Sequence, residues 1–276
     1  MEDIDVISSV LKYLDFHELC VAERVNSTFQ HCVRIELLAL KHVDLAPISL
    51  ENHGQIITKL DDYCPQLQRL SNCLEFLFYF PLCFSNPRRE QYLPRVLSIL
   101  QRLAYLDMFS PLCDVERVFK PEDCLNILVN TNNLQHLGLR TLGLCDEWRD
   151  ILLRQQTLKS FSICGGFWVH LPPCVNLTSL KINFGPQWKH EQCEELYSLL
   201  AANQGLEHLR IHIFPADQLL LEKLTLLREL KTLDLAFSFL GILNCERDKV
   251  FRKSNIFLKS DVRFDHLESI AIYSQA

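Results

Sequence analysis

Leu134-Gln135-His136-Leu137-Gly138-Leu139 is one copy of a Leu-x-x-Leu-x-Leu frame that recurs along most of this chain. Further copies stand at Leu177-Thr-Ser-Leu180-Lys-Ile182, Leu206-Glu-His-Leu209-Arg-Ile211 and Leu230-Lys-Thr-Leu233-Asp-Leu235. Looser ones are Leu67-Gln-Arg-Leu70, Leu103-Ala-Tyr-Leu106, Leu158-Lys-Ser-Phe161-Ser-Ile163 and Leu267-Glu-Ser-Ile270-Ala-Ile272. The spacing is irregular: Leu158 and Leu177 are 19 residues apart, Leu230 and Leu267 are 37 apart.

A frame repeating about every 29 residues is the signature of leucine-rich repeats. Within each frame alternate residues face opposite sides of a strand. The leucines form the inward set and stack on those of the next repeat. A buried leucine contributes roughly 1.5–3 kcal/mol, and one repeat cannot bury its own face, so the repeats stand as a stack. The expected fold is α/β: a leucine-rich-repeat solenoid, with a curved parallel sheet and helices on the convex side, over residues 47–276 in about eight irregular repeats. Helical stretches precede the frames at Gln55–Tyr63, Arg89–Leu100, Pro121–Val129, Asp146–Arg154, Glu191–Ala201 and Asp217–Leu227. Lys41–Leu45 offers an earlier strand, and Leu74-Glu-Phe-Leu77-Phe-Tyr79 competes for the first frame. Pro172-Pro173 leave no room for a helix between Leu158 and Leu177.

Residues 1–46 read differently. They hold no glycine or proline, and form a separate small all-α bundle of three short helices. Ile4, Ile7, Leu11 and Leu14 share one helix face by their spacing of three and four. Asp15 with Glu18 has the form of a capping box opening a second helix that carries Leu19, Ala22 and Val25. Asn26 or Ser27 caps a third, which buries Phe29, Val33, Leu37 and Leu40.

Composition narrows the function. A net charge of -6 argues against a general nucleic-acid or anionic-membrane binder. Twelve cysteines without a Cys-x-x-Cys pair, several in apolar slots such as Cys32, Cys124 and Cys164, read as reduced, mostly buried thiols. The acidic opening Met1-Glu2-Asp3-Ile4-Asp5 lacks the basic flank of a signal peptide, and the apolar run Phe76–Phe84 is too short to span a bilayer. A cytoplasmic or nuclear location is expected. The sequence contains no Gly-x-Ser-x-Gly, His-Glu-x-x-His, Walker or Gly-x-Gly-x-x-Gly motif, so no catalytic residue, cofactor or metal site is expected. His190-Glu191-Gln192-Cys193 is not a nucleophile–base pair by spacing alone. His208 and His212 lie across one strand, too far apart for one metal.

Residues 2–40 resemble an F-box, through Val10-Leu11-Lys12-Tyr13-Leu14, Asp15-Phe16-His17-Glu18-Leu19 and Val25-Asn26-Ser27-Thr28-Phe29. Phe29 takes the aromatic place usually held by tryptophan, and Glu2-Asp3 stand where the family has Leu-Pro. The whole chain resembles an F-box leucine-rich-repeat protein. The resemblance implies a non-catalytic substrate receptor. The F-box would dock on the Skp-type adaptor of a Skp–cullin–F-box ubiquitin ligase, and the repeats would hold a protein substrate for ubiquitination. The expected adaptor-facing residues are Ile7, Leu11, Leu14, Leu19, Val25 and Phe29. The outward strand residues His136, Arg140, Lys181, His208, Arg210 and His212 form a basic stripe suited to an acidic or phosphorylated substrate segment. The alternative is a leucine-rich-repeat scaffold or inhibitor outside the ligase pathway, in which residues 1–46 are a helical cap. Gly241–Phe264, with six basic residues, reads as a loop between the last two frames.

Overall fold

The computed structural model describes residues 4–49, 53–73, 76–77, 89–108, 129, 131, 133–140, 157–165, 174–184, 190–212, 218–238 and 267–275. The chain divides into two compact units, Met1–Leu134 and Gln135–Ala276. The expected helices at Pro121–Val129 and Asp146–Arg154, the Pro172-Pro173 connection and the basic loop after Gly241 lie essentially outside the described residues.

The first unit opens with α1 (Ile4–Leu11), α2 (Phe16–Ala22) and α3 (Ser27–Ala39). The Asp15–Glu18 capping box forms as read. Glu18 N–H donates to Asp15 Oδ1 at 2.8 Å, and Asp15 N–H donates to Glu18 Oε2 at 2.8 Å. Asn26, rather than Ser27, caps α3, its Oδ1 accepting from Phe29 N–H at 2.9 Å. Because α2 ends at Ala22 and the backbone of Asn26 is extended, Val25 falls in the link between helices, 61% exposed. α1 and α2 both pack on α3. Their shared core is Ile7, Leu11, Phe16, Leu19, Cys32, Val33 and Leu37, all buried. Phe29 and Leu40, expected in that core, are half-buried.

α3 leads directly into β1 (His42–Asp44), so the earlier strand expected at Lys41–Leu45 exists. α4 (His53–Tyr63), β2 (Arg69–Ser71), α5 (Arg89–Arg102) and β3 (Tyr105–Asp107) follow. β1, β2 and β3 pair in parallel, in chain order. Phe76 and Leu77 lie in a helical turn after β2, with Leu77 N–H donating to the Cys73 carbonyl at 3.0 Å. The competing frame at Leu74–Tyr79 is therefore not a strand at these residues.

The second unit holds β4 (His136–Arg140), β5 (Ser160–Gly165), β6 (Ser179–Phe184), α6 (His190–Ala202), β7 (His208–His212), α7 (Gln218–Leu224), β8 (Thr232–Ser238) and β9 (Ser269–Gln275). These six strands also pair in parallel and in chain order. Leu137, Phe161, Leu180, Leu209 and Leu233 occupy one register row, and Leu139, Ile163, Ile182, Ile211 and Leu235 the next. All ten are at most 2% exposed. The frames in both units are leucine-rich repeats.

One joint recurs between successive repeats. The two residues after the frame leucine both donate backbone N–H groups to a single carbonyl of the preceding repeat. Gln68 and Arg69 meet Lys41, Ala104 and Tyr105 meet Gln68, and Glu207 and His208 meet Thr178. Among the described residues, the one three before a frame leucine is buried: Leu37, Cys64, Leu100, Thr131, Cys174, Asn203 and Leu227. In several copies its carbonyl also receives the N–H of the frame leucine, as at Leu40, Leu67, Leu103, Leu206 and Leu230. Leu37 and Leu40 thus place the end of α3 in the role that later repeats give to their own helices.

The cysteines of the described residues are thiols, and Cys20, Cys32, Cys64, Cys73 and Cys174 are buried. Burial pushes the Cys64 and Cys174 thiols up to about 12. Among the described residues no helix is long and apolar enough to cross a membrane.

Candidate partner-binding faces

The outward residues of the second unit form three rows across the strands. His136, Ser160, Ser179, His208, Thr232 and Ser269 make the first. Gly138, Ser162, Lys181, Arg210, Asp234 and Ala271 make the second. Cys164, Asn183, His212 and Ala236 make the third, with Arg140 and Tyr273 at the ends of that register position.

Five of the six expected substrate residues, His136, Lys181, His208, Arg210 and His212, lie on this one face, but they are not one stripe. Lys181, Arg210 and His212 come together on β6 and β7. His136 and Arg140 sit on β4, with β5 and β6 intervening. The side chain of Arg140 lies outside what the structure describes. The first-row histidines are bound to neighbouring hydroxyls. His136 Nδ1 is 2.8 Å from Ser160 Oγ, and His208 Nδ1 is 2.9 Å from Thr232 Oγ1.

Charge on the second row is compensated by Asp234, which lies outside the expected set. Asp234 Oδ2 pairs with Arg210 Nε at 2.5 Å, and its Oδ1 lies 3.4 Å from His212 Nε2. No donor meets Oδ1 in good hydrogen-bond geometry, although the Asp234 carboxylate still favours the protonated ring. The sequence did carry a signal for Asp234: it fills the same frame slot as Lys181 and Arg210, four residues after the frame leucine. His212 is held below the usual histidine range, chiefly by burial, with Arg210 and Lys181 adding to the effect and Asp234 opposing it. It is therefore neutral at pH 7. The expected basic stripe is corrected to a mixed row, in which Lys181 and Arg210 are the cations and Asp234 is their anion. An open depression of about 430 Å³ lies over this row. Among the described residues no group of three or more His, Cys, Asp and Glu side chains is placed to hold a metal.

In the first unit the expected adaptor-facing set divides. Ile7, Leu11 and Leu19 are at most 9% exposed and belong to the core between α1, α2 and α3. They cannot face a partner while the bundle is folded. Leu14 and Phe29 are half-buried, and Val25 is exposed. The apolar surface comes instead from the other side of α1. Val6 and Val10 are 57% and 55% exposed, and Tyr13, in the turn just past the helix, is 89% exposed. Val6, Val10 and Tyr13 follow at helical spacing, so they line one stripe. Val21 on α2, with Ile35 and Leu38 on α3, adds further exposed apolar surface.

The strands of this unit present a different chemistry outward. The Arg69 guanidinium lies 4.5 Å from the centre of the Tyr105 ring, a cation–π contact between register neighbours. Asp44 Oδ1 accepts from Asn72 Nδ2 at 2.7 Å and from Ala46 N–H at 2.9 Å.

No family model matches the chain, and no curated protein matches it. Among solved structures it is similar to an LRR protein of Leptospira interrogans, at 16% identity and a TM-score of 0.37. That match covers 67% of this chain and 46% of the other, so this chain spans less than half of that protein's length.

Proposed function

We propose that the chain is the non-catalytic substrate receptor of a Skp–cullin–F-box type ubiquitin ligase. Residues of α1–α3 dock on the Skp-type adaptor, and the outward strand residues hold a protein substrate. The observation that carries this reading is the unburied apolar stripe of Val6, Val10 and Tyr13. A bundle this small is marginal alone, and an apolar stripe left to solvent marks an interaction surface. Bringing a substrate lysine close to a charged ubiquitin carrier is a service of proximity and needs no catalytic residue in the receptor.

A pull-down of the full chain with purified Skp-type adaptor tests this, beside a Val10→Asp, Tyr13→Asp variant. Both residues are exposed, so the variant is expected to fold. Adaptor binding by the wild type and its loss in the variant is the expected result. An adaptor that ignores both proteins ends the ligase reading.

One observation favours a second reading. The last turn of α3 joins β1 as each later helix joins its strand, which is what a helical cap on a repeat stack does. On that reading the chain is a leucine-rich-repeat scaffold or inhibitor, and its partner is held without being turned over. Cullin-dependent loss of a bound partner in cells separates the two.

A further inference from the structure

Arg210 already holds an anion, and that anion is the protein's own. Asp234 takes the guanidinium through Nε, leaving the other N–H donors of the fork unused by Asp234. The three side chains differ in access: Arg210 is 47% exposed, Asp234 17% and His212 14%. A group arriving from solvent therefore meets Arg210 before it meets either neighbour. The depression above is lined by Lys181, His208, Arg210, Thr232, Asp234 and Ser269, room for a peptide side chain rather than a folded domain. Beneath it, Asp234 Oδ1 is buried and accepts no hydrogen bond, with His212 Nε2 3.4 Å away. A buried carboxylate oxygen without a donor is costly, and Asp234 released from Arg210 can turn that oxygen onto a protonated His212.

We propose that Asp234 is an internal stand-in for a partner's carboxylate. An acidic side chain of an extended peptide replaces it at Arg210, Asp234 transfers its pairing to His212, and His212 takes up one proton from solvent. This rests on the outward face being the partner-binding face, as above. The charges balance: one negative charge enters with the peptide and one positive charge enters with the proton. A phosphate dianion would bring a second negative charge that this exchange does not match, so the class assigned is a glutamate or aspartate side chain.

The pH dependence has a definite sign. The groups acting on His212 are Asp234 on β8, Arg210 on its own strand and Lys181 on β6. Its register neighbours Asn183 and Ala236 are uncharged. In the free protein burial and the two cations keep His212 neutral. The bound anion and the released Asp234 both favour its protonated form. Affinity is then highest below the free-state pKa of His212. It falls as pH rises toward the bound-state value, by at most about tenfold per pH unit for one proton.

The test is an NMR titration of the full chain with the blocked peptide Ac-Gly-Glu-Gly-NH₂ at constant ionic strength, following the His212 ring and the Arg210 Nε–H. Affinity is expected to fall about tenfold between about pH 5.5 and about pH 7.5. Asp234→Asn removes the internal competitor and should bind about tenfold more tightly, with a flat pH profile. His212→Gln should lose the pH dependence, and Arg210→Gln should lose binding. Circular dichroism checks folding, and Asp234→Ser serves if Asp234→Asn does not fold. Unchanged or weaker binding by the folded Asp234 variant overturns the proposal. So does a pH slope that survives in His212→Gln, or tighter binding of the matching phosphoserine peptide. A wild type with no saturable shift overturns both the proposal and the binding role of this face, while leaving the adaptor experiment untouched.

Discussion

Arg102 in the first unit and Asn203 in the second close the same kind of joint with opposite chemistries. Each stands at or just after the end of a helix and reaches back to the preceding repeat. Arg102 spreads over the last carbonyls of α4, donating to Leu60, Asp61 and Cys64 at 3.4 Å each, with its side chain 23% exposed. Asn203 is 2% exposed and fully engaged. Its Oδ1 accepts from Leu177 N–H at 2.8 Å, and its Nδ2 donates to the carbonyls of Cys174 at 2.6 Å and Leu199 at 2.8 Å. Long bonds near solvent can be exchanged for water. Short bonds in a dry joint cannot, since each orphaned backbone group then costs about 1–3 kcal/mol. The repeat dictates that the end of a helix be stitched backward and leaves the thread to the sequence.

The largest effect expected tests what the two joints share. Cys64 and Cys174 hold equivalent slots in the two units, and burial raises both thiols to about 12. Thiolate at neutral pH is thereby suppressed roughly a thousandfold against an ordinary cysteine. In a labelling time course read by mass spectrometry, both should react only on unfolding, at rates set by opening. Fast labelling of one in native buffer would break the equivalence. Asn203→Ala comes next, with an expected loss of about 3 kcal/mol in denaturant unfolding. Hydrogen exchange should accelerate most at the Leu177 amide, which loses its acceptor. A smaller loss, about 1 kcal/mol, is expected for Asp15→Ala, which opens the capping box at the start of α2 and leaves the repeat joints intact. Arg102→Met should cost the least, about 0.5–1 kcal/mol, and the difference from wild type should shrink as salt is raised. If Arg102→Met proved as damaging as Asn203→Ala, solvent access would not be what distinguishes the joints.

The parallel order of the strands was legible because a six-residue frame with leucine at fixed offsets has one inward face, whatever the distance to the next copy. The cap at Asp15 was legible for the same local reason, whereas spacing alone left Asn26 and Ser27 as equal candidates for the next. The exposed side of α1 was not legible. Spacing put Ile7 and Leu11 on one face, but Val6 and Val10 are as apolar, and nothing local says that they stay in solvent. Only packing against α3 selects Ile7 and Leu11 for the core. The pairing of Asp234 with Arg210 required the register of β7 on β8, which no spacing within either strand contains. Asn203 reads in sequence as an ordinary helix end, since its partner Cys174 lies 29 residues away.

The double-donor joint makes the chain punctuated rather than measured. Lys159 and Lys231 each offer a single carbonyl to a pair of N–H groups, Thr178 with Ser179 and Glu268 with Ser269. The first pair of frames is separated by 19 residues and the second by 37. Nothing in the connector length enters the stitch. An engineer could therefore write an epitope, a cleavage site or a small reporter between two joints as one inserts a clause between commas. The same edit placed within three residues before a frame leucine, or in the six of the frame itself, would garble the sentence.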